Sequence, residues 1–314
     1  MEGSRSLSGD SSTNRDSTEV PQEDSTRGIG LVFSALAGQQ ILGALAFPIT
    51  KFGVAVIEPF AFAFFRFVIS AAIFMLIIRF RKYDNAIEKK DYWRIFLLGL
   101  IIIPFNQVMY LYGQSLTGAG HGALIFATTP IWLFILAMIH LKEKLQMRRA
   151  IGIIVAVVGV VVIMFGGAVR IGTEYLIGDL IILLAVFAWT YYTILGKPLV
   201  RKYGAFRVTA YALSSGTLVY LPFGIWAASK IDYSQTTTGA WLSVLYMAIG
   251  TSVLAYVLWY WVLKHIDASR MAVFHNFQPV IASGVAFFWL GEPMGLPFIF
   301  GGLTVLAGVI VAEL

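Results

Sequence analysis

An arginine in the middle of an apolar run is the first residue here that could do chemistry. Arg66 stands in Phe65-Arg66-Phe67, inside a segment of mostly hydrocarbon side chains. An arginine at the centre of a membrane-spanning helix costs about 2.5–3.5 kcal/mol on insertion scales, so Arg66 must face inwards and be paired. It could bind a substrate carboxylate, or brace helix ends through backbone carbonyls. His275, followed by Asn276 and Gln278, is the next such position. Imidazole titrates near neutral pH, so His275 could contact a substrate or carry a proton; it could equally be a polar group satisfied between helices. Asn106 and Tyr110 lie four apart and share a helical face, as do Trp189 and Tyr192, three apart. Gln39 (beside Gln40) and Tyr256 complete the set. Amides in hydrocarbon need internal partners. These side chains should therefore wall an inner pocket suited to a moderately apolar small molecule.

The acids are informative by position. Glu58, Asp179, Glu143, Glu292, Asp267 and Glu313 all fall at segment ends or in loops, which leaves no carboxylate near a midplane. A proton-coupled exporter of cationic drugs would place one there, so neutral, zwitterionic or anionic cargo fits better. Glu143 and Glu292 are expected to cap loops by accepting from N–H groups of the following helix. The chain has no Cys and no HExxH, so no metal, cofactor or enzyme activity is expected.

What must position these residues is a bundle of membrane helices. Of 314 residues, 58% are hydrophobic and 13% charged, against about 45–50% and 25% in soluble domains. Ten apolar segments long enough to cross about 30 Å of hydrocarbon fall near 28–50, 59–79, 92–112, 119–140, 148–166, 175–196, 205–228, 238–263, 270–289 and 296–313. Residues 1–27, rich in Ser, Thr, Asp and Glu, cannot bury enough apolar surface to order themselves and are expected to form a disordered tail. That tail holds three Arg and six acids, while the chain as a whole is at +6; the positive excess therefore sits in the loops. Arg79, Arg81, Lys82, Lys89, Lys90, Lys142, Lys144, Arg148, Arg149, Lys197, Arg201, Lys202, Arg207, Lys264 and Arg270 occupy alternate connections. The positive-inside rule puts these, and both termini, in the cytoplasm of a cell membrane. The basic balance thus points to a lipid bilayer and not to nucleic acid.

A repeat orders the segments. Shifting the chain by 149 positions lays Ala123, Pro130, Leu141, Glu143, Gly152 and Gly159 over Ala272, Pro279, Leu290, Glu292, Gly301 and Gly308. Two halves of five helices follow, 28–166 and 167–314. Five is odd, so the second half enters the bilayer from the opposite side, and an inverted repeat with substrate held at the interface is a transporter plan. The Gly pairs, seven apart on one face, permit close packing, expected of helix five on four and of ten on nine. The copies differ at Phe126 against His275, and an asymmetric substrate requires such a difference.

Each copy reads apolar, Pro, apolar, Glu, Gly, Gly, and with Phe65-Arg66-Phe67 the chain resembles the drug/metabolite transporter superfamily, in its ten-helix type with two EamA-like repeats. The resemblance covers residues 28–314 and implies an all-α membrane protein that exports a small metabolite, such as an amino acid, by alternating access. A nucleotide-sugar or sugar-phosphate exchanger of the same superfamily is the alternative, though it would need a second deep cation beside Arg66. A non-transporting sensor or scaffold is the reading from another class. The sequence leaves the coupling ion and the oligomeric state open.

Overall fold

The computed structural model describes residues 22–83, 85–116, 125–144, 146–166, 176–278, 280–281 and 296–313. Within them the chain is helical, and no strand occurs among the described residues. The helices are α1 (Gln22–Val54), α2 (Pro59–Phe80), α3 (residues 89–116), α4 (Thr129–Leu141), α5 (Met147–Gly166), α6 (Leu176–Tyr203), α7 (Ala205–Ala228), α8 (residues 238–265), α9 (Ala268–Phe274) and α10 (Leu296–Glu313). Six of them are long and apolar enough to cross a membrane: α1, α2, α3, α6, α7 and α8; α4 and α10 contribute shorter apolar stretches. Pro279, Glu292, residues 1–21 and residues 282–289 lie outside the described residues. Helix α1 nevertheless begins at Gln22, inside the expected tail.

Polarity is distributed as a bilayer demands. Large apolar side chains such as Leu76, Phe80, Ile177 and Leu218 point outwards, while Gln39, Arg66, Asn106, Thr190, Thr193 and Ser252 are buried. Polar groups are turned inwards because hydrocarbon offers them no partner. Local signals set the ends: Pro59 opens α2, and the Glu58 carboxylate accepts from the Ala61 N–H at 3.0 Å. Gly204, at φ +86°, alone separates α6 from α7. That left-handed conformation costs glycine nothing.

Helices α3 and α8, the third of each half, share an unusual feature. Each widens to π-helical winding in mid-course, over Ile101–Val108 and Met247–Ala255. Pro104 removes a backbone donor in the first, whereas the second contains no proline. Such bulges gather at functional sites.

Helices α5 and α10 meet glycine to backbone. A Cβ on Gly152 would lie 2.5 Å from the Gly308 carbonyl oxygen, and one on Gly159 would lie 2.6 Å from that of Gly301. Rising along α5 therefore means descending along α10, so the two run antiparallel, as inverted halves require. The glycines join helix five to helix ten, which corrects the expected pairing of five with four and ten with nine. The reason is that only a seam without side chains on both sides lets the fifth helices of two inverted copies touch backbone to backbone.

Pro130 also differs from expectation. Turns at Ala127–Thr128 interrupt the fourth apolar segment, and Pro130 stands in the first turn of α4, not inside a continuous helix. The hydroxyls of Thr128 and Thr129 donate to the carbonyls of Ile125 and Phe126, which satisfies groups the break exposes. In the second half, α9 ends at Phe274 and a turn at His275–Asn276 follows. Both fourth helices of the repeat are thus interrupted at matching places, and these are the positions where the copies differ.

Candidate functional site

A cavity of about 130 Å³ lies between the halves, lined from the first by Gln39, Gly43, Arg66, Asn106, Gln107, Tyr110 and Phe126 and from the second by Trp189, Thr251, Tyr256, His275 and Gln278, among others. Both π-wound stretches contribute to its wall. Pro104 and the unwound backbone turn Asn106 and Gln107 towards it on one side, and the winding of α8 brings Thr251 to the other. Both interrupted helices deliver their symmetry-breaking residue, Phe126 or His275. Of the residues singled out in the sequence, Asn276 and Tyr192 are not brought to the cavity. Asn276 is buried outside its lining, with neither amide atom partnered among the described residues. Tyr192 stacks on Tyr260 at 4.8 Å, behind Trp189.

Arg66 is 4% exposed, and its partners are neutral side chains instead of backbone carbonyls. Nε donates to Ser252 Oγ at 2.8 Å, Nη1 to Gln107 Oε1 at 2.9 Å and Nη2 to Thr251 Oγ1 at 3.0 Å. Gln107 in turn donates to Asn106 Oδ1, and Asn106 Nδ2 to the Ala185 carbonyl at 2.7 Å. A chain of polar groups thereby runs from α2 through α3 to α6. Thr251 Oγ1 also donates to the Met247 carbonyl in the α8 bulge, so the widened turn holds the hydroxyl that holds the guanidinium. A guanidinium has five N–H donors; three are met, which leaves one on each Nη. No carboxylate lines the cavity among the described residues. The charge of Arg66 is spread over hydroxyls, an amide and the Phe67 ring at 4.7 Å, and is not neutralised. The Thr251-Ser252 pair, a polar step within an apolar run, was the sequence signal for these partners, and it does not reveal which cation it serves.

Aromatic rings form the opposite wall. Trp189 is 5.5 Å from Tyr256, 5.2 Å from Trp259 and 6.1 Å from the His275 imidazole, which lies nearly parallel to it. His275 also meets Trp259 edge-on at 5.0 Å. Trp259 Nε1 donates to Thr193 Oγ1, whereas Trp189 Nε1, His275 Nδ1 and Gln39 Oε1 are buried with no partner among the described residues. Unpaired buried donors and acceptors are costly, and beside a cavity they are groups a bound molecule can satisfy. Tyr110 packs edge-on against Phe126 at 5.0 Å. Gly43 makes room for Gln278, whose Nε2 would lie 2.5 Å from a Cβ there.

A second polar constellation ties the halves at one end of the bundle. The Glu143 carboxylate accepts from Lys197 Nζ at 2.9 Å, the Ala268 and Ser269 N–H groups at 3.0 and 3.1 Å, and Ser269 Oγ at 2.6 Å. Glu143 therefore caps a helix as expected, but that helix is α9 of the other half and not the following α5. The negative charge suits the positive end of α9. Burial raises the Glu143 pKa, but bonds from Ser269 and Lys197 and the Lys197 charge outweigh it, so the group sits below its ordinary 4.5. A depressed carboxylate pKa contributes stability above the unfolded value and loses it as pH falls through the folded one. Glu143→Gln is expected to cost about 3 kcal/mol at neutral pH, because Lys197 is left buried beside a neutral amide. It should also flatten the loss of thermal stability expected of the native protein as pH falls from 4.5 through the lowered Glu143 pKa. Scanning calorimetry in detergent from pH 7 to 3 measures both; parallel curves for the two proteins would reject this role.

The same end gathers the basic loops. Lys202 pairs with Glu88 and, at 2.9 Å, with Asp91, and Arg207 Nη1 donates to the Asn85 carbonyl. Arg149 meets Asp267 at 3.3 Å. Arg270 lies over Phe33 near the start of α1, and Ala312 near the end of α10 abuts Gly152 at the start of α5.

Apolar flanks, two antiparallel halves and a polar cavity between them define a multi-pass membrane protein of the transporter type. Residues 29–165 and 176–313 each match the EamA-like transporter family. The chain belongs to that family. It is 30% identical over 286 residues to YetK, an uncharacterized transporter of Bacillus subtilis (strain 168), covering 90% of this chain and 86% of that protein. Similarity to a "probable terminal-alkyne amino-acid exporter" of Streptantibioticus cattleyicolor is 27% over 222 residues, 71% of this chain and 73% of the other. A solved crystal structure superposes with a TM-score of 0.76 at 16% identity, covering 90% of this chain and 98% of that one, a likeness of fold.

Proposed function

We propose that this membrane transporter is an exporter of small carboxylate-bearing metabolites, amino acids foremost, which it moves from the cytoplasm by alternating access of its two halves. The observation that carries this reading is Arg66: a buried cation without a carboxylate, with one N–H on each Nη to spare. That fork matches a carboxylate bidentately. The aromatic faces of Trp189, Tyr256 and Tyr110 and the oxygen of Gln39 are suited to the rest of an amino acid, its ammonium included. Export of an amino acid by the Streptantibioticus relative, as its description has it, favours the same class. A sugar phosphate would call for a second deep cation, and the described lining holds none. The loop charges favour an orientation in a cell membrane with the basic end and both termini on the cytoplasmic side.

The test is uptake of labelled amino acids, set against labelled sugar phosphates, into inside-out vesicles. Amino acid uptake is expected; sugar phosphate uptake alone, or uptake of neither by folded protein, would overturn the reading. His275→Phe restores the residue of the first repeat and removes a polar group from the wall. It is expected to lower the apparent substrate affinity about tenfold, the worth of one hydrogen bond to a buried group, or to alter the pH profile of transport if the imidazole carries a proton. Transport equal to that of the native protein from pH 5.5 to 8.5 would remove His275 from the site.

A further inference from the structure

The basic end of the bundle contains a second cavity, of about 610 Å³, lined by Leu141, Lys142, Glu143, Lys144, Gln146, Arg149, Lys197, Pro198, Arg201 and Asp267. Five cations face two carboxylates there. Both carboxylates are already engaged. Glu143 accepts from Lys197 and the start of α9, and Asp267 from Arg149, with Lys197 at 3.9 Å. Lys142, Lys144 and Arg201 are exposed and have no partner among the described residues. Three like charges sharing one concavity repel one another unless an anion sits between them. Lys142, at φ 53°, lies in the left-handed turn that ends α4, where the Glu143 N–H donates to the Ala137 carbonyl at 3.3 Å. The turn that holds it sets Lys142 and Lys144 at the rim, facing Arg201 on the last turns of α6. Loop charges that serve only to orient the chain in a membrane do not require a shared hollow.

We propose that this cavity binds a phosphate-bearing anion, either the headgroup of an anionic lipid or a soluble phosphorylated metabolite, with Lys142, Lys144 and Arg201 as its ligands. The site adjoins the Glu143–Lys197 contact that ties α4–α5 to α6 and α9, so its occupancy bears on how firmly the halves are held at this end. It is separate from the Arg66 cavity and has a direct binding readout, whatever the cargo.

The full chain in phosphatidylcholine nanodiscs would be titrated with inorganic pyrophosphate, and its thermal unfolding compared with that in nanodiscs containing one part phosphatidylglycerol to two parts phosphatidylcholine. The variant K142Q/K144Q/R201Q removes the proposed ligands, and R79Q/K82Q/K89Q removes the same charge from the same end elsewhere. Surface cations near anionic phosphate are each worth about fivefold, so the first variant should bind pyrophosphate about a hundredfold more weakly and K142Q/K144Q about twenty-fivefold, while the control stays within threefold. Pyrophosphate binding so lost identifies a soluble ligand. A phosphatidylglycerol stabilisation lost in the same two variants, without pyrophosphate binding, identifies the lipid. Absence of both effects in the native chain, or equal responses of the first variant and the control, overturns the proposal.

Discussion

Arg66→Gln is expected to reduce transport about a hundredfold, with the protein still inserted and folded. A bidentate charge-assisted pair in a desolvated site contributes roughly 3 kcal/mol, which converts to about that factor. The fold should tolerate the change because two of the three partners of the guanidinium keep another hydrogen bond. Thr251 Oγ1 already donates to the Met247 carbonyl, and Gln107 already donates to Asn106. Removing a buried cation with no acidic partner also removes its desolvation cost. Arg66→Lys separates charge from geometry. It keeps the cation but loses the planar fork, so it should restore only part of the activity, mainly through a raised KM. Counterflow in proteoliposomes measures both variants. Activity of Arg66→Gln within twofold of the native protein would show that Arg66 is a brace and not a ligand.

Gly152→Leu and Gly159→Leu should each prevent stable assembly. A Cβ at either position lands 2.5–2.6 Å from backbone carbonyls of α10, and backbone cannot move aside as a flexible side chain would. Separating α5 from α10 exposes the seam along its length, including Val160 and Val305, which are fully buried. Overpacking a well-filled contact costs about 1–3 kcal/mol or more per site, and a branched four-carbon side chain against backbone stands at the upper end. Gly38→Leu is the matched control, since a Cβ there meets nothing within 4 Å. Monodisperse yield in detergent and the unfolding temperature should fall sharply for the seam variants and hold for the control. Normal yield of both seam variants would refute the close approach of α5 and α10.

Much of this architecture was legible in the sequence for a simple reason: hydrocarbon permits few solutions. Segment lengths, loop charge and a repeat of Pro, Glu and Gly sufficed for ten apolar segments in two copies. Depth was legible too. Arg66, Asn106, Trp189, Tyr256 and His275 are polar or amphipathic groups in runs that cannot otherwise tolerate them, and they converge on one cavity. What stayed hidden was pairing across the repeat. No spacing within a half reveals that Gly152 meets Gly308, or that Glu143 reaches α9. Those contacts depend on how the halves dock, and periodicity encodes only faces. Partner chemistry was hidden for a similar reason. Thr251 and Ser252 are small enough to pass as ordinary helix-packing residues until the guanidinium is seen between them. Asn276 shows the converse limit, a polar residue in the right segment that does not line the cavity.

The glycine seam has one more implication. Gly152 touches Gly308, the image of Gly159, and Gly159 touches Gly301, the image of Gly152. This reciprocity is the signature of a two-fold interface between identical subunits, here contained in one polypeptide. In a dimer of identical chains every substitution arrives twice and the pocket stays symmetric. Once two copies are covalently joined, their encounter no longer depends on concentration, and each can change alone. The seam could thus remain self-complementary while the pocket did not. Phenylalanine at 126 and histidine at 275 are a difference that a dimer of identical chains could not hold.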